Sequence, residues 1–336
     1  MKKRLLTGDR PTGKLHLGHF VGSLKNRVKL QNEYDCFFII ADLHTLTTRP
    51  EYTAELENNI FELVLDYLSV GIDPKKSTIY VQSEIPEVTE LAIIFSNLIN
   101  VPRLNRVPTL KDILKDLKIE NPSFGLLGYP VLQAADILMV KAHLVPVGKD
   151  QVSHVEVTRE IARDFNRYYE KIFPIPSALI GEVPTLPGID GQTKMSKSLG
   201  NVINLSDPSN QVKKQIMSMY TDPKRIHGDE PGDTENNPVF AYLRAFGQKK
   251  HQGRIQEYTQ RYEKGTIGDV QVKEFLFEVI EDFLKPIRQK RLEFKKKPKL
   301  IEKILKEGTK RARVEAQKTL LDTKKAMEMA YPKIFK

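Results

Sequence analysis

The chain has 336 residues, 40% of them hydrophobic and 29% charged, which is enough for a large core and two domains in a globular protein. No apolar run reaches bilayer-spanning length, the N-terminus leads into a strand rather than a secretory leader, and the single cysteine, Cys36, excludes an internal disulfide and any cysteine-built zinc or iron–sulfur site and fits the reducing cytoplasm. The net charge of +10 lies late in the chain: residues 204–336 hold 29 Lys+Arg against 19 Asp+Glu, and the first 203 hold 24 of each, so a basic module for a polyanion is joined to a neutral one, although a solvated lysine-rich surface has the same composition.

Leu5-Leu6 reads as a first strand, and apolar positions from Phe20 to Leu30 recur at helical spacing. Between them, Gly8-Asp9-Arg10-Pro11-Thr12-Gly13-Lys14-Leu15-His16-Leu17-Gly18-His19 is a strand-to-helix crossover with a Pro-Thr-Gly turn. Open backbone N–H groups and a positive helix end favour an anion there. Gly18 leaves room for a flat group such as a purine. His16 and His19, one turn apart, are placed to donate to phosphate oxygens. Taken alone, the motif is equally a polar helix cap. Residues 36–41 form an apolar run, expected as a strand buried on both faces. Asp42 to Thr48, including His44, follows at its carboxyl end, where open α/β sheets gather ligands.

A helix is expected over 51–70, a strand over 77–82 and a helix over 88–99. This alternation points to a parallel doubly wound sheet. A more polar helical piece over 105–118, with Lys111 and Lys115, reads as part of an insertion at about 103–125. Gly128-Tyr129-Pro130 opens the next helix with proline in its first turn, running to about Lys141. Tyr129, Gln133 and Asp136 lie at i, i+4 and i+7 and share one face. A phenol, an amide and a carboxylate together are costly in an apolar core and make sense against a polar ligand. Asp136 either accepts a bond from an N–H or O–H on an otherwise apolar molecule or pairs with a neighbouring helix.

A strand over 144–147 precedes Gly148-Lys149-Asp150-Gln151 and a helix over 150–169. Gly148 permits close backbone approach. Asp150 bonds ribose hydroxyls or caps its own helix, Gln151 is placed to hold an α-amino group, and His154 reads as structural. Residues 173–190 are expected to be mostly loop. Gly188-Ile189-Asp190-Gly191-Gln192-Thr193-Lys194-Met195-Ser196-Lys197-Ser198 is a glycine-rich loop whose two lysines suit a transient polyphosphate contact. Beyond Ile203 the chain reads as helices over 207–220, 237–247, 255–263, 269–296 and 298–328, with a charged loop over 221–236.

His-Leu-Gly-His followed by Lys-Met-Ser-Lys-Ser resembles the two signatures of class I aminoacyl-tRNA synthetases. Together with Gly8-Asp9-Arg10-Pro11-Thr12-Gly13, Tyr-Pro…Ala-Ala-Asp-Ile-Leu and Pro-Val-Gly-Lys-Asp-Gln, the whole chain resembles the bacterial tryptophanyl-tRNA synthetases. The resemblance implies a Rossmann-like catalytic domain over 1–203 and a helical, tRNA anticodon-binding domain over 204–336. It implies ATP-dependent activation of L-tryptophan and transfer to tRNA(Trp) by a homodimer, with Mg²⁺ carried by the phosphates and no resident metal. In that reading His16, His19, Lys194 and Lys197 are catalytic. Arg10, Pro11, Thr12, Gly18, Gly148, Lys149, Asp150, Leu186, Met195, Ser196 and Ser198 join His19 and the two lysines around ATP. Asp136 receives the indole N–H, with Tyr129, Gln133, Gln151 and His44 around the amino acid. Arg10 stands where many members have Gln, and Gln133 where many have Met. Lys111 and Lys115 are both candidates for a further lysine reaching ATP. Tyr-Pro…Gln-x-x-Asp also resembles archaeal and eukaryotic tyrosyl enzymes, which makes tyrosine the competing substrate. A non-catalytic tRNA-binding paralogue is the alternative outside enzymes.

Overall fold

The computed structural model describes residues 2–148, 152–180, 186–191, 194–221, 225 and 230–334. Five parallel strands form one sheet in the order β3-β2-β1-β4-β5: β1 (Arg4–Asp9), β2 (Asp35–Ile40), β3 (Ser77–Val81), β4 (Leu144–Val147) and β5 (Ser177–Ile180). Leu5 lies opposite Cys36, and Asp9 opposite Ile40. The order reverses between β1 and β4, so their carboxyl ends flank the crevice in which an open α/β sheet takes its ligands.

Successive side chains of a strand point to opposite faces, and β2 sorts its residues accordingly. Cys36, Phe38 and Ile40 enter one core, and Phe37 and Ile39 the other. The first core takes in α4 (Leu56–Val70) and continues through α10 (Ser209–Met217), α11 (Pro238–Phe246), α12 (Gln252–Glu263) and α13 (Asp269–Lys295). The second lies under α5 (Glu87–Ser96), α8 (Phe124–Met139) and α9 (Val152–Tyr168). Burial pushes the Cys36 thiol up to about 12, so it packs as a small inert hydrophobe. Among the described residues no helix is long and apolar enough to cross a membrane.

The last helix, α14 (Pro298–Ala326), returns from the helical region to the edge strand β3. Val81 N–H donates to Thr309 Oγ1 at 3.3 Å, and a Cβ on Gly308 would lie 1.9 Å from the Ile79 carbonyl oxygen. Glycine thus lets a helix backbone press against strand backbone, covering an edge that would otherwise offer unpaired groups.

Several expected boundaries move. Residues 51–55 are turns, and α4 starts at Leu56. α8 begins at Phe124 rather than 128, because the Ser123 side chain accepts the Leu126 N–H and caps it there. Pro130 consequently lies inside the helix, which runs on with one backbone bond missing. The expected loop over 173–190 contains β5, a half-exposed four-residue edge strand whose short segment carries little apolar signal. α9 starts at Val152 among the described residues, and Asp150 as its cap lies outside them.

Candidate active site

The crossover after β1 enters α1 (Leu17–His19), a π-helical turn over Phe20–Leu24, and α2 (Lys25–Leu30). The His16 and His19 rings lie against each other, centroids 3.7 Å apart and planes tilted by 47°. The His16 backbone N–H donates to His19 Nδ1 at 3.2 Å, which assigns the proton of the neutral His19 ring to Nε2. Burial and the neighbouring cations hold both rings neutral: His16 falls to about 2 and His19 to about 4, the latter despite the opposing pull of Asp9. Both rings are therefore neutral imidazoles rather than imidazolium charges.

Asp9, at the end of β1, is gripped by Arg27 from α2 at 2.6 and 3.2 Å and by the Tyr67 hydroxyl at 2.6 Å. Burial pushes its carboxyl up, but the Arg27 charge and these bonds outweigh burial and hold it at about 2. Arg10 is exposed and donates to Thr48 at 3.4 Å; Pro11 is buried and Thr12 exposed.

The lysine loop closes on this turn. Lys197 Nζ donates to the Gly13 carbonyl at 3.0 Å and the Thr12 carbonyl at 3.3 Å, and burial lowers its pKa. Lys194 pairs in an antiparallel bridge with Pro187 and remains exposed. Met195 and Leu186 are buried and joined by a backbone bond of 3.4 Å. The Ser196 N–H donates to Asn201 Oδ1 at 2.8 Å, and the Asn201 amide reaches Asp190 at 2.9 Å and the Lys194 carbonyl at 3.4 Å. Asn201 thus shapes the loop from beneath, a role no motif signals. Ser198 lies in the 3₁₀ turn Lys197–Leu199. The space over Gly18 expected for a purine is filled here: Met195 Sδ accepts its N–H at 3.3 Å, and an added Cβ would lie 3.0 Å from the His16 ring.

Across the crevice Asp136 is 2% exposed. Gln82 Nε2 donates to both of its oxygens, at 3.0 and 2.8 Å, and His44 Nε2 approaches Oδ2 at 3.0 Å. Burial raises its pKa and these two donors pull it back. Beside it, the Tyr129 hydroxyl bonds His154 Nε2 at 2.7 Å and Thr109 Oγ1 at 3.0 Å, and the Tyr129 ring meets His44 edge-on at 6.4 Å. Thr109 comes from α7 (Pro108–Asp116), on which Lys111 and Lys115 are exposed. Gln133 is half-buried on the same helix, and Gly148 follows β4 at the crevice. Lys149, Asp150 and Gln151 lie outside the described residues. Gln82, Thr109 and the pocket role of His154 escaped the motif reading, because their partners lie 20–54 residues away.

A parallel sheet in this order, with His-Leu-Gly-His at its first crossover and Lys-Met-Ser-Lys-Ser folded over it, defines a class I aminoacyl-tRNA synthetase. The family model "tRNA synthetases class I (W and Y)" matches residues 1–285. The chain is 53% identical to Tryptophan--tRNA ligase of Treponema pallidum, covering 97% of each chain. It is 52% identical to that of Chlamydia caviae, covering 98% of this chain and 96% of the relative. The crystal structure of tryptophanyl-tRNA synthetase from Campylobacter jejuni complexed with ADP and tryptophan superposes with TM-score 0.86 at 37% identity, over 97% of this chain and 99% of that one. The chain belongs to the tryptophan–tRNA ligases of the class I synthetases. The likeness to tyrosyl-tRNA synthetase from Archaeoglobus fulgidus, at 20% identity and TM-score 0.67, is one of fold alone.

Proposed function

We propose that the chain activates L-tryptophan with ATP and transfers it to tRNA(Trp), with Asp136 reading the indole N–H. The observation that carries this is the way Asp136 is held. Gln82 and His44 spend their donors on the carboxylate, which leaves one side of Oδ1 as an acceptor. An indole N–H only donates and fits such a site. The choice of tryptophan over tyrosine is supported by the tryptophan–tRNA ligase relatives at 52% and 53% identity. Tyr129, Gln133, Gln151 and His44 complete the amino-acid side in this reading.

In the activation step a tryptophan carboxylate oxygen forms a bond to the α-phosphorus of ATP, and the bond from that phosphorus to the pyrophosphate oxygen breaks. A ribose hydroxyl at the tRNA terminus then attacks the acyl carbon, and AMP leaves. The protein contributes position and electrostatics. His16 and His19 donate as neutral groups to phosphate. Lys197 exchanges its contacts with the Thr12 and Gly13 carbonyls for the departing pyrophosphate, and the exposed Lys194 joins it. Arg10, Pro11, Thr12, Gly18, Gly148, Lys149, Asp150, Leu186, Met195, Ser196 and Ser198 surround the nucleotide, and Mg²⁺ travels on its phosphates.

The basic region 204–336 takes the tRNA. Ile93, Val101 and Phe124, exposed by 62%, 53% and 77% on neighbouring elements α5, α6 (Val101–Leu104) and α8, form the face on which a second copy docks. A reducing cytoplasm suits the lone buried thiol.

Tryptophan-dependent ATP–pyrophosphate exchange, followed by charging of tRNA(Trp), tests the reading. Lys197→Ala is expected to slow exchange by roughly 10²-fold with tryptophan binding nearly intact. Wild-type exchange by that variant would remove the loop from the chemistry.

A further inference from the structure

The turn bearing His16 and His19 hangs from a carboxylate outside both signature motifs. Asp66, on α4, is fully buried. Its Oδ2 accepts the Leu15 N–H at 2.8 Å, and its Oδ1 accepts Arg291 Nη1 at 2.8 Å. Arg291 comes from α13 in the helical region, is itself buried, and also bonds the Glu62 carboxylate and the Glu62 carbonyl. From the other side, the Leu15 carbonyl accepts the Leu205 N–H and the Leu17 N–H donates to the Ile203 carbonyl, both at 2.9 Å. Leu15–Leu17 is therefore clamped between the segment Ile203–Leu205 that follows the lysine loop, where Asn204 bridges His16, and a charge pair rooted in α13.

A buried ion pair is a weak source of stability, and apolar residues of like volume often serve as well. What an apolar pair cannot do is hold a backbone N–H at a fixed height. We propose that Asp66 is a positioning residue for adenylate formation: through the Leu15 N–H it sets His16 and His19 against Lys197, and through Arg291 it makes that setting depend on the seat of α13. A transition state stabilised by preorganised donors loses rate when those donors shift by a fraction of an ångström, whereas an amino-acid pocket built on α3 (Asp42–Leu46), α7 and α8 does not move with them. The proposal rests on reading His16 and His19 as phosphate-facing.

The test is steady-state pyrophosphate exchange on the full chain, with KM for ATP and for tryptophan measured separately beside the thermal midpoint. Asp66→Leu combined with Arg291→Met replaces the pair by apolar groups. The expected result is a folded protein with a lowered midpoint, since the Leu15 N–H loses its acceptor and Glu62 its partner, a fall in kcat of roughly 10-fold or more with a raised KM for ATP, and a KM for tryptophan within about twofold of wild type. Asp66→Asn keeps an acceptor for Leu15 but loses the ion pair, and is expected to show the same split, more mildly. Glu62→Gln leaves the Asp66 contacts in place and is expected to stay within about twofold throughout. A folded double variant with normal kcat overturns the proposal. Should the double variant not fold, normal kcat in Asp66→Asn overturns it alone. His19→Gln separates the two layers: if it retains wild-type exchange the phosphate-facing reading falls, and if it loses exchange while the Asp66 variants keep theirs only the positioning role falls.

Discussion

Burial decides what the individual side chains of this site can do. His16 and His19 sit among Lys194, Lys197 and Arg27, and a buried imidazolium in that company is disfavoured. The rings therefore offer N–H groups without charge, and in the proposed function the positive charge that meets the phosphates comes from lysine. Asp9 shows the converse: a half-buried carboxylate kept ionised because Arg27 and Tyr67 bond it from two elements. Arg27→Met would strand that charge at the mouth of the crevice, with an expected loss of about 3–5 kcal/mol of stability, read as a lower urea midpoint. An unchanged midpoint would contradict the account of the cluster. Motif spacing made His16, His19, Lys197 and Asp136 legible because their chemistry is anomalous in its local pattern. Arg27, Gln82 and Asp66 were not, because each reads locally as an ordinary polar position of a helix or a strand end. Only the fold brings Asp66 to Arg291, 225 residues further along the chain.

At the scale of elements, long periodic segments and continuous apolar runs declared themselves. β2, β4 and the helices α10–α14 fall where spacing put them, within a few residues. The misses have local causes. β5 is too short and too exposed to carry a pattern. α8 starts early because Ser123 supplies a cap upstream of the Gly-Tyr-Pro start. The docking of α14 onto β3 was not visible in sequence, since a lone helical glycine more often signals weakness than contact. That contact yields a sign reversal. Replacing glycine by alanine inside a helix normally stabilises by about 1 kcal/mol. At Gly308 the new Cβ would collide with the Ile79 carbonyl. Gly308→Ala is expected to destabilise by about 1–3 kcal/mol, measured by urea unfolding, and a stabilised variant would show that α14 does not bear on the sheet as described.

For the whole molecule, the buried titrating groups set the response to acid. Unfolded, His16 and His19 would titrate near 6.5; folded, they do so near 2 and 4. Below pH 6.5 the unfolded chain therefore binds protons that the folded chain refuses, and stability falls with pH. Asp66 opposes this between its ordinary 3.8 and its folded value of about 6, where burial, only partly offset by Arg291, keeps it protonated. Asp136, also raised by burial, opposes the histidines in the same sense, so the clean readout is the difference one ring makes: His19→Gln is expected to remove up to about 1.4 kcal/mol per pH unit of acid destabilisation between pH 6.5 and 4.5, read in the urea midpoint. The same pH dependence in variant and wild type would refute the neutral-imidazole account of His19. The two halves of the crevice meet where the strand order reverses; the proposed function puts the nucleotide on β1's side and the amino acid against α8, and its central claim concerns the latter. The most direct measurement is exchange driven by tryptophan against exchange driven by its benzothiophene analogue, in which sulfur replaces the indole N–H, for wild type and Asp136→Ala. The account predicts that wild type prefers tryptophan by at least roughly 10²-fold and that the variant loses the preference. Equal discrimination by both proteins would contradict it.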